Sequence, residues 1–477
     1  MDLNIQKNKV AIIGINDQET LNLLSEKNEL ETFPYIIDSF LIEGEAMKKS
    51  LQAGTVIFYD NITEELEQLE VETVLINIAY FSRRDIFDIL SSCIYNGKKV
   101  IKIDITPFEK SSFPPIINFS PIKIEDLFHE NLPNNFNLLK EEYFNKTILI
   151  TGGAGSIGKG LVLNLSKYKP KLLVIIDHSE SDLWELELEL KKTDGETKFE
   201  FELLDIRDKN RLQNVFDQYG FNIVFHTAAY KQVPLLERNL YEAINVNLLA
   251  TIELVHLANQ FNVEKFNFLS TDKAVNPSSI MGLTKRASEV YIKSFNKEKS
   301  TTTKFFISRL GNVIGSKGSV VPFFERQINE NINLTVTDTQ VERYFISNLN
   351  ACQLLLEVLN LKDREETFVF DMGYSIKILE IAQLMLLIFN KNLDIKIIGL
   401  RKGEKLMESL ISDKETLGET ANARINRVIG EDRGFEEINK IISELIIVNK
   451  SIDNRESLKL VQQLVPEYKK TSINELS

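Results

Sequence analysis

The apolar positions of this chain fall into short β-favouring runs separated by stretches with helical spacing. The clearest run, 147–150, leads directly into Thr-Gly-Gly-Ala-Gly-Ser-Ile-Gly at 151–158. Leu161, Val162 and Leu165 then recur at the spacing of one helix face. Apolar runs follow at 171–176, 199–204, 223–226, 266–269 and 305–309. Strands alternating with helices predict βαβ units and a parallel, doubly wound α/β sheet. Ahead of them, runs at 9–14, 55–59, 73–79 and 99–103, with helical spacing at 20–24 and 84–94, predict a smaller α/β domain over residues 1–105. Residues 106–140 carry Pro114, Pro115, Pro121 and Pro133. Proline removes a backbone donor and disfavours helix before it. This stretch therefore reads as a linker lying on the second domain, with 122–127 as a short docked segment. The main domain is expected over 141–430, with substrate-binding parts in 310–345 and 372–430. Residues 431–477 read as a helical tail, amphipathic over 434–468.

The glycine loop carries the first chemistry. Gly152, Gly155 and Gly158 have the spacing of a dinucleotide site: one for a tight turn, one for close approach to a pyrophosphate, one for helix-on-strand packing. Ser156 and Ile157 open the helix, whose free N–H groups and dipole suit phosphate. The next strand ends at Asp177, where an acid meets the adenosine ribose hydroxyls. Asp205 and Ile206 follow the third strand, with the acid placed to accept from an adenine amino group. Ala228 and Ala229 are small enough to let the chain pass close to a cofactor. Asn247, counted with the cofactor contacts, can brace neighbouring strands. The expected cofactor is NAD, because a carboxylate at 177 repels a 2′-phosphate. NADP is the alternative, with His178 and Ser179 to accommodate it. In the first domain Gly14 is followed by Ile-Asn-Asp-Gln-Glu. No second glycine follows and acids stand where phosphates would sit, so a regulatory or assembly role is expected there.

Composition narrows the classes. With 477 residues, the length prior gives about three domains. Hydrophobic content of 43% and charged content of 26% are those of a globular protein. A net charge of −13 argues against nucleic acid or an anionic membrane as partner. Cys93 and Cys352 make no disulfide framework. The N-terminus has no apolar signal core and no run approaches a membrane span. A cytoplasmic enzyme is expected. The four histidines lack metal-ligand spacing, so no metal site is expected.

Ser270-Thr271-Asp272-Lys273 leaves the carboxyl end of a strand, where ligands of open α/β sheets bind. Met281 and Lys285, four apart, share a helix face. Short-chain oxidoreductases place Tyr-x-x-x-Lys here, the tyrosine as general base and the lysine lowering its pKa. Methionine cannot transfer a proton, and Tyr95 with Lys99 is the chain's only Tyr-x-x-x-Lys. Asp272 and Lys273 supply an acid and a base beside it. Downstream, 311–322 is a donor-rich loop. Arg401 can clamp a diphosphate through its planar fork, and Glu404 can accept from ribose hydroxyls. On charge alone both also fit solvated surface.

Across 122–466 the chain resembles the nucleotide-sugar 4,6-dehydratases of bacterial polysaccharide biosynthesis, in the extended short-chain dehydrogenase/reductase superfamily. The motifs are the glycine loop at 151–158, Ala-Ala-Tyr-Lys-Gln-Val-Pro (228–234), Ser-Thr-Asp-Lys-Ala-Val-Asn-Pro (270–277), Met-Gly-Leu-Thr-Lys-Arg (281–286) and Arg-Leu-Gly-Asn-Val (309–313). The first domain resembles the additional Rossmann-like module of long members. Many of those carry membrane helices ahead of it; this chain resembles a soluble long form. The resemblance implies UDP-N-acetylglucosamine as substrate, with a GDP-linked sugar as the alternative, and a tightly held, recycled NAD(P). It implies Lys273 as the base at C5, Asp272 as the acid for the C6 hydroxyl, Lys285 on the nicotinamide ribose and Thr271 on the 4-hydroxyl. Lys231, Asn312, Val320, Thr335 and Thr337 join Arg401 and Glu404 as expected substrate contacts. Met281 matches the subgroup that retains C5 configuration. Removal of the 4-hydroxyl proton then falls to Asp272, Lys285 or a water held by Thr271. Lys402 and Gln232 depart from the usual proline and histidine. A homodimer or larger assembly is the family default. The rival readings are a nucleotide-sugar 4-epimerase or ketoreductase, and a non-catalytic NAD(P)-binding scaffold or sensor.

Overall fold

The computed structural model describes residues 8–15, 18–28, 34–43, 55–59, 61–105, 117–128, 135–192, 197–361 and 367–469. Pro114, Pro115 and Pro133 of the expected linker, and Asn16 and Asp17 after Gly14, lie outside them. The chain divides into two compact units. One is Met1–Asn131 with Phe324–Leu334 and Ile381–Asp394, and the other is the remainder.

The first unit holds a six-stranded sheet in the order Thr55–Tyr59, Tyr35–Glu43, Asn8–Ile13, Thr73–Ile76, Lys99–Ile105, Ile117–Pro121. All neighbours are parallel except the last pair. Two findings correct the sequence reading. Tyr35–Glu43 is a nine-residue strand that the hydrophobic pattern did not single out. Ile117–Pro121, expected in a linker lying on the second domain, is the antiparallel edge of this first sheet. Proline is tolerated there because an edge strand needs fewer ladder donors. The docked segment is a 3₁₀ turn, Ile124–Phe128, also against this unit, with Asp126 paired to Lys102 at 3.0 Å. Gly14 has φ of +86°, and a Cβ on it would lie 2.5 Å from the Asn77 carbonyl oxygen. The turn after the first strand is thus packed against the neighbouring strand's end.

The second unit carries a nine-stranded sheet: Thr416–Glu419, Ile425–Ile429, Thr367–Phe370, Lys304–Leu310, Lys265–Thr271, Ile223–His226, Thr147–Thr151, Leu172–Asp177, Lys198–Leu203. The last seven are parallel, and the first two add an antiparallel edge. Ile148, Leu149 and Ile150 are completely buried, as are Leu173 to Ile176. Helices on both faces require such unbroken apolar strands. One face packs Ser156–Leu165 and Asn348–Val358, and the other packs Ala250–Gln260 and Ile280–Asn296. The tail folds into two helices, Phe435–Lys450 and Asn454–Leu464, which cover Ile280–Asn296. Among the described residues, no helix is long and apolar enough to cross a membrane.

Candidate active site

Strand order reverses between Thr147–Thr151 and Ile223–His226, the place where doubly wound sheets open a crevice at their carboxyl ends. Two cavities adjoin there. One, of 340 Å³, is lined by Asp177, Ser179, Asp182, Asp205, Ile206 and Ala228 among others. The other, of 460 Å³, is lined by Ser156, Ile157, Gly158, Lys231, Thr271, Lys273, Met281, Lys285, Asn312 and Val320 among others. Gly152, Gly155, Thr227, Ala229, Tyr230 and Lys317 line both.

Gly152 and Gly158 are sterically required. Gly152 has φ of +66°, and a Cβ there would stand 2.7 Å from the Ala228 backbone. A Cβ on Gly158 would meet the Gly152 carbonyl oxygen at 2.2 Å. Gly155 starts the helix Ser156–Leu165, whose first turn has no side-chain cap and no acid. Its amide groups are those that anions seek at a helix start. Asp177, 8% exposed, accepts the Ala154 and Ser179 amides at 3.1 and 3.0 Å, which fixes its carboxylate on the first cavity's wall. Asp205 faces the same cavity, but Arg207 grips both its oxygens at 2.6–3.0 Å and lowers its pKa. Asn247 corrects the sequence reading. It is fully buried behind the wall and gives its side chain to the Tyr230 backbone and Thr284, so it holds the 230 loop rather than facing a cofactor.

The second cavity gathers the reactive groups. Thr271 ends its strand and donates its hydroxyl to Asp272 Oδ1 at 2.8 Å. Lys273 reaches the same oxygen at 3.0 Å and Asn312 Oδ1 at 2.9 Å. Asp272 is completely buried, and its Oδ2 has no hydrogen-bond partner. It is absent from the cavity wall and touches the cavity through Thr271 and Lys273. Asp272, expected as the acid for the C6 hydroxyl, thus stands behind the wall, with Thr271 and Lys273 between it and the cavity. The helix Ile280–Asn296 comes close because residue 282 is glycine: a Cβ there would fall 2.1 Å from the Lys273 carbonyl oxygen. That approach sets Met281 and Lys285 on the wall. Lys285 donates to the Leu269 carbonyl at 2.6 Å and stands 3.8 Å from the Phe268 ring centre. Burial pushes its pKa down to about 7, against the raising effect of Glu289.

Thr335, Thr337, Arg401 and Glu404 line neither cavity. Glu404 accepts from Thr337 at 3.0 Å and from the Arg401 amide at 3.0 Å, and Arg401 is exposed. Their loop is tied to the approach of the Lys285 helix by Lys405 to the Val275 carbonyl and Ser278 to the Gly403 carbonyl. Thr337, Arg401 and Glu404, expected as substrate contacts, form a cluster beside these two cavities.

Sequence reasoning missed the support under this wall. Ser270 donates to Glu289 at 2.6 Å. Arg309, 1% exposed, binds Glu289 at 2.7 and 2.9 Å and Glu415 at 2.8 Å through two nitrogens. Arg286 joins both acids and Glu467. Arg309 sat in a quoted motif, yet its partners lie 20 and 106 positions away, so no local pattern pointed to them. Lys317, on the donor-rich loop, was also not singled out.

Residues 148–429 match the family described as polysaccharide biosynthesis protein. The chain is 34% identical over 82% of its length to the capsular polysaccharide biosynthesis protein CapD of Staphylococcus aureus, and spans 66% of that protein. It is 36% identical over 57% of its length to a UDP-N-acetylglucosamine 4,6-dehydratase (inverting) of Campylobacter jejuni, covering 80% of it. A UDP-glucose 4-epimerase of Rickettsia bellii is 35% identical over 57% of this chain and 80% of its own.

Proposed function

The chain belongs to the polysaccharide biosynthesis protein family, and from that premise we propose that it is a nucleotide-sugar 4,6-dehydratase. Its relatives' names support an enzyme acting on nucleotide sugars as dehydratase or epimerase. UDP-N-acetylglucosamine is proposed from the Campylobacter relative, whose name marks it as inverting; the reading as a dehydratase that retains the C5 configuration rests on one observation. Thr271, Lys273 and Lys285 converge on a cavity whose tyrosine position is occupied by Met281. An epimerase needs a proton-transferring group at that position and has no use for an acid–base pair beside C5.

The first cavity fits the nucleoside end of NAD. Asp177 offers a fixed carboxylate to a ribose diol, and its charge disfavours a 2′-phosphate. Gly152, Gly155 and the uncapped helix start suit the diphosphate. Held by Gly152, Gly155 and Asp177, NAD would supply the hydride acceptor for sugar C4 and the hydride donor for C6. The protein's residues handle the protons. Thr271 hydrogen-bonds the 4-hydroxyl, and from it a path leads to Asp272 Oδ1. Because Asp272 takes the proton of Lys273, the 4-hydroxyl proton passes to Lys285 on the same wall and is handed back to Lys273 once C5 is reprotonated. Oxidation at C4 acidifies the C5 proton, and Lys273 removes it. One proton shift along the 3.0 Å Lys273–Asp272 contact turns an ion pair into an amine and a carboxylic acid, the two forms that base and acid catalysis require. Asp272 then supplies a proton to the departing C6 hydroxyl, through Thr271. Lys273 returns a proton to C5 from the side it came from, which retains configuration.

Incubating the purified protein with UDP-N-acetylglucosamine and following product mass tests this. Loss of one water supports the dehydratase. A product of unchanged mass with inverted C4 would establish an epimerase instead.

A further inference from the structure

Separate segments meet where the two cavities join, and their polar contacts form a closed circuit. The glycine loop's Ala154 amide donates to Asp177 Oδ2 at 3.1 Å. Asp177 Oδ1 accepts the Ser179 amide at 3.0 Å, and the Ser179 hydroxyl donates to Asp182 Oδ2 at 2.8 Å. The Asp182 carboxylate takes the Lys317 ammonium at 2.7 and 2.9 Å. The Lys317 amide then returns to the glycine loop's helix at Ser156 Oγ, 3.0 Å away. Ser156 lines one cavity, Asp177, Ser179 and Asp182 line the other, and Lys317 lines both.

One link differs from the rest. Lys317 and Asp182 are joined only through side chains from distant segments, and their side chains are 76% and 31% exposed. Gly315 and Gly318, with φ of +67° and +74°, turn the loop on either side of Lys317. Gln232 holds the Gly318 carbonyl at 3.3 Å. Lys317 is also the only cationic residue among those lining both cavities.

We propose that the 315–319 loop is a strap over the diphosphate of the bound dinucleotide, with the Lys317–Asp182 pair as its clasp, so that the cofactor stays in place between turnovers. The inference rests on the dinucleotide reading above. A dinucleotide spanning both cavities carries its diphosphate through their junction. To leave, it must open the circuit, and the clasp is the most exposed link. The proposed reaction returns its hydride to the sugar, so no step calls for cofactor exchange.

The test is the rate at which protein-bound NAD exchanges with isotopically labelled NAD, read by mass spectrometry without substrate. Lys317→Ala and Asp182→Asn each release NAD about fivefold faster than wild type, the scale of one exposed ion pair. Lys317→Arg stays near wild type. Added salt speeds wild-type release towards the variants, because an exposed pair is screened. Unchanged release in both alanine and asparagine variants overturns the strap. Slower release from Asp182→Asn also overturns it, since Lys317 would then be a plain phosphate partner freed from a competitor. A wild-type protein that binds no dinucleotide overturns the cofactor reading instead.

Discussion

Lys285 provides the sharpest physical test of the site. Its folded-state pKa of about 7 stands against an ordinary 10.5, and burial is the main cause. Between those values the unfolded chain holds one proton more than the folded chain, so stability rises with pH through that window. Each pH unit contributes ~1.4 kcal/mol, and the full separation amounts to about 5 kcal/mol. The penalty is complete below pH 7 and gone by pH 10.5. Lys285→Met removes the titrating group and keeps the apolar stem. It forfeits the bond to the Leu269 carbonyl, worth about 1–2 kcal/mol. At pH 6 the variant is therefore the more stable protein, and its advantage shrinks steadily as pH rises. Denaturant unfolding of both proteins, stripped of nucleotide, at half-unit intervals from pH 6 to 10 measures the difference curve. His226 loses the repulsion of Lys285 in the variant, but burial, the larger cause, still holds its pKa well below the ordinary value, so the difference curve above pH 6.5 reports Lys285. Parallel stability profiles would refute the reasoning, because they would mean that Lys285 titrates alike folded and unfolded.

Other outcomes follow from the same geometry. Asp272→Asn and Lys273→Ala each slow water loss by about 10²–10⁴-fold, measured as product formed per bound cofactor; wild-type rates would remove both from the chemistry. Glu289→Gln leaves Arg309 and Arg286 short of a buried carboxylate, and costs about 3–5 kcal/mol in unfolding experiments. A loss under about 1 kcal/mol would show that the network is not a support. Gly152→Ala combines a left-handed backbone with a Cβ 2.7 Å from Ala228. It costs about 1–3 kcal/mol and lowers the NAD content of the purified protein.

Much of the second unit could be read from the chain because its signals are local. Unbroken apolar runs such as 172–176 mark strands buried on both faces, and the glycines at 152 and 158 mark positions that tolerate no side chain. The Thr271–Lys273 turn and the Met281–Lys285 spacing share one strand–helix unit, so their convergence on one cavity was readable too. What escaped depends on distant partners. Tyr35–Glu43 carries Asp38 and Ser39 inside an apolar run, which blurs its period. Ile117–Pro121 ends in proline, and only pairing with Lys99–Ile105 makes it a strand. Glu404 had the right chemistry, but its carboxylate accepts from Thr337 and from the Arg401 backbone amide, partners that only chain folding brings together. Asp272 was placed by motif, while its complete burial comes from packing.

The central claim is that the protein oxidises C4 only in order to expel the C6 hydroxyl, with Lys273 exchanging the C5 proton. The most direct measurement is NMR of the purified protein with UDP-N-acetylglucosamine in deuterated water, without added cofactor. A 4-keto-6-deoxy sugar carrying deuterium at a C5 of retained configuration is the expected product. A sugar that keeps its C6 hydroxyl, or a dehydrated product with inverted C5, would contradict the assignment of these residues.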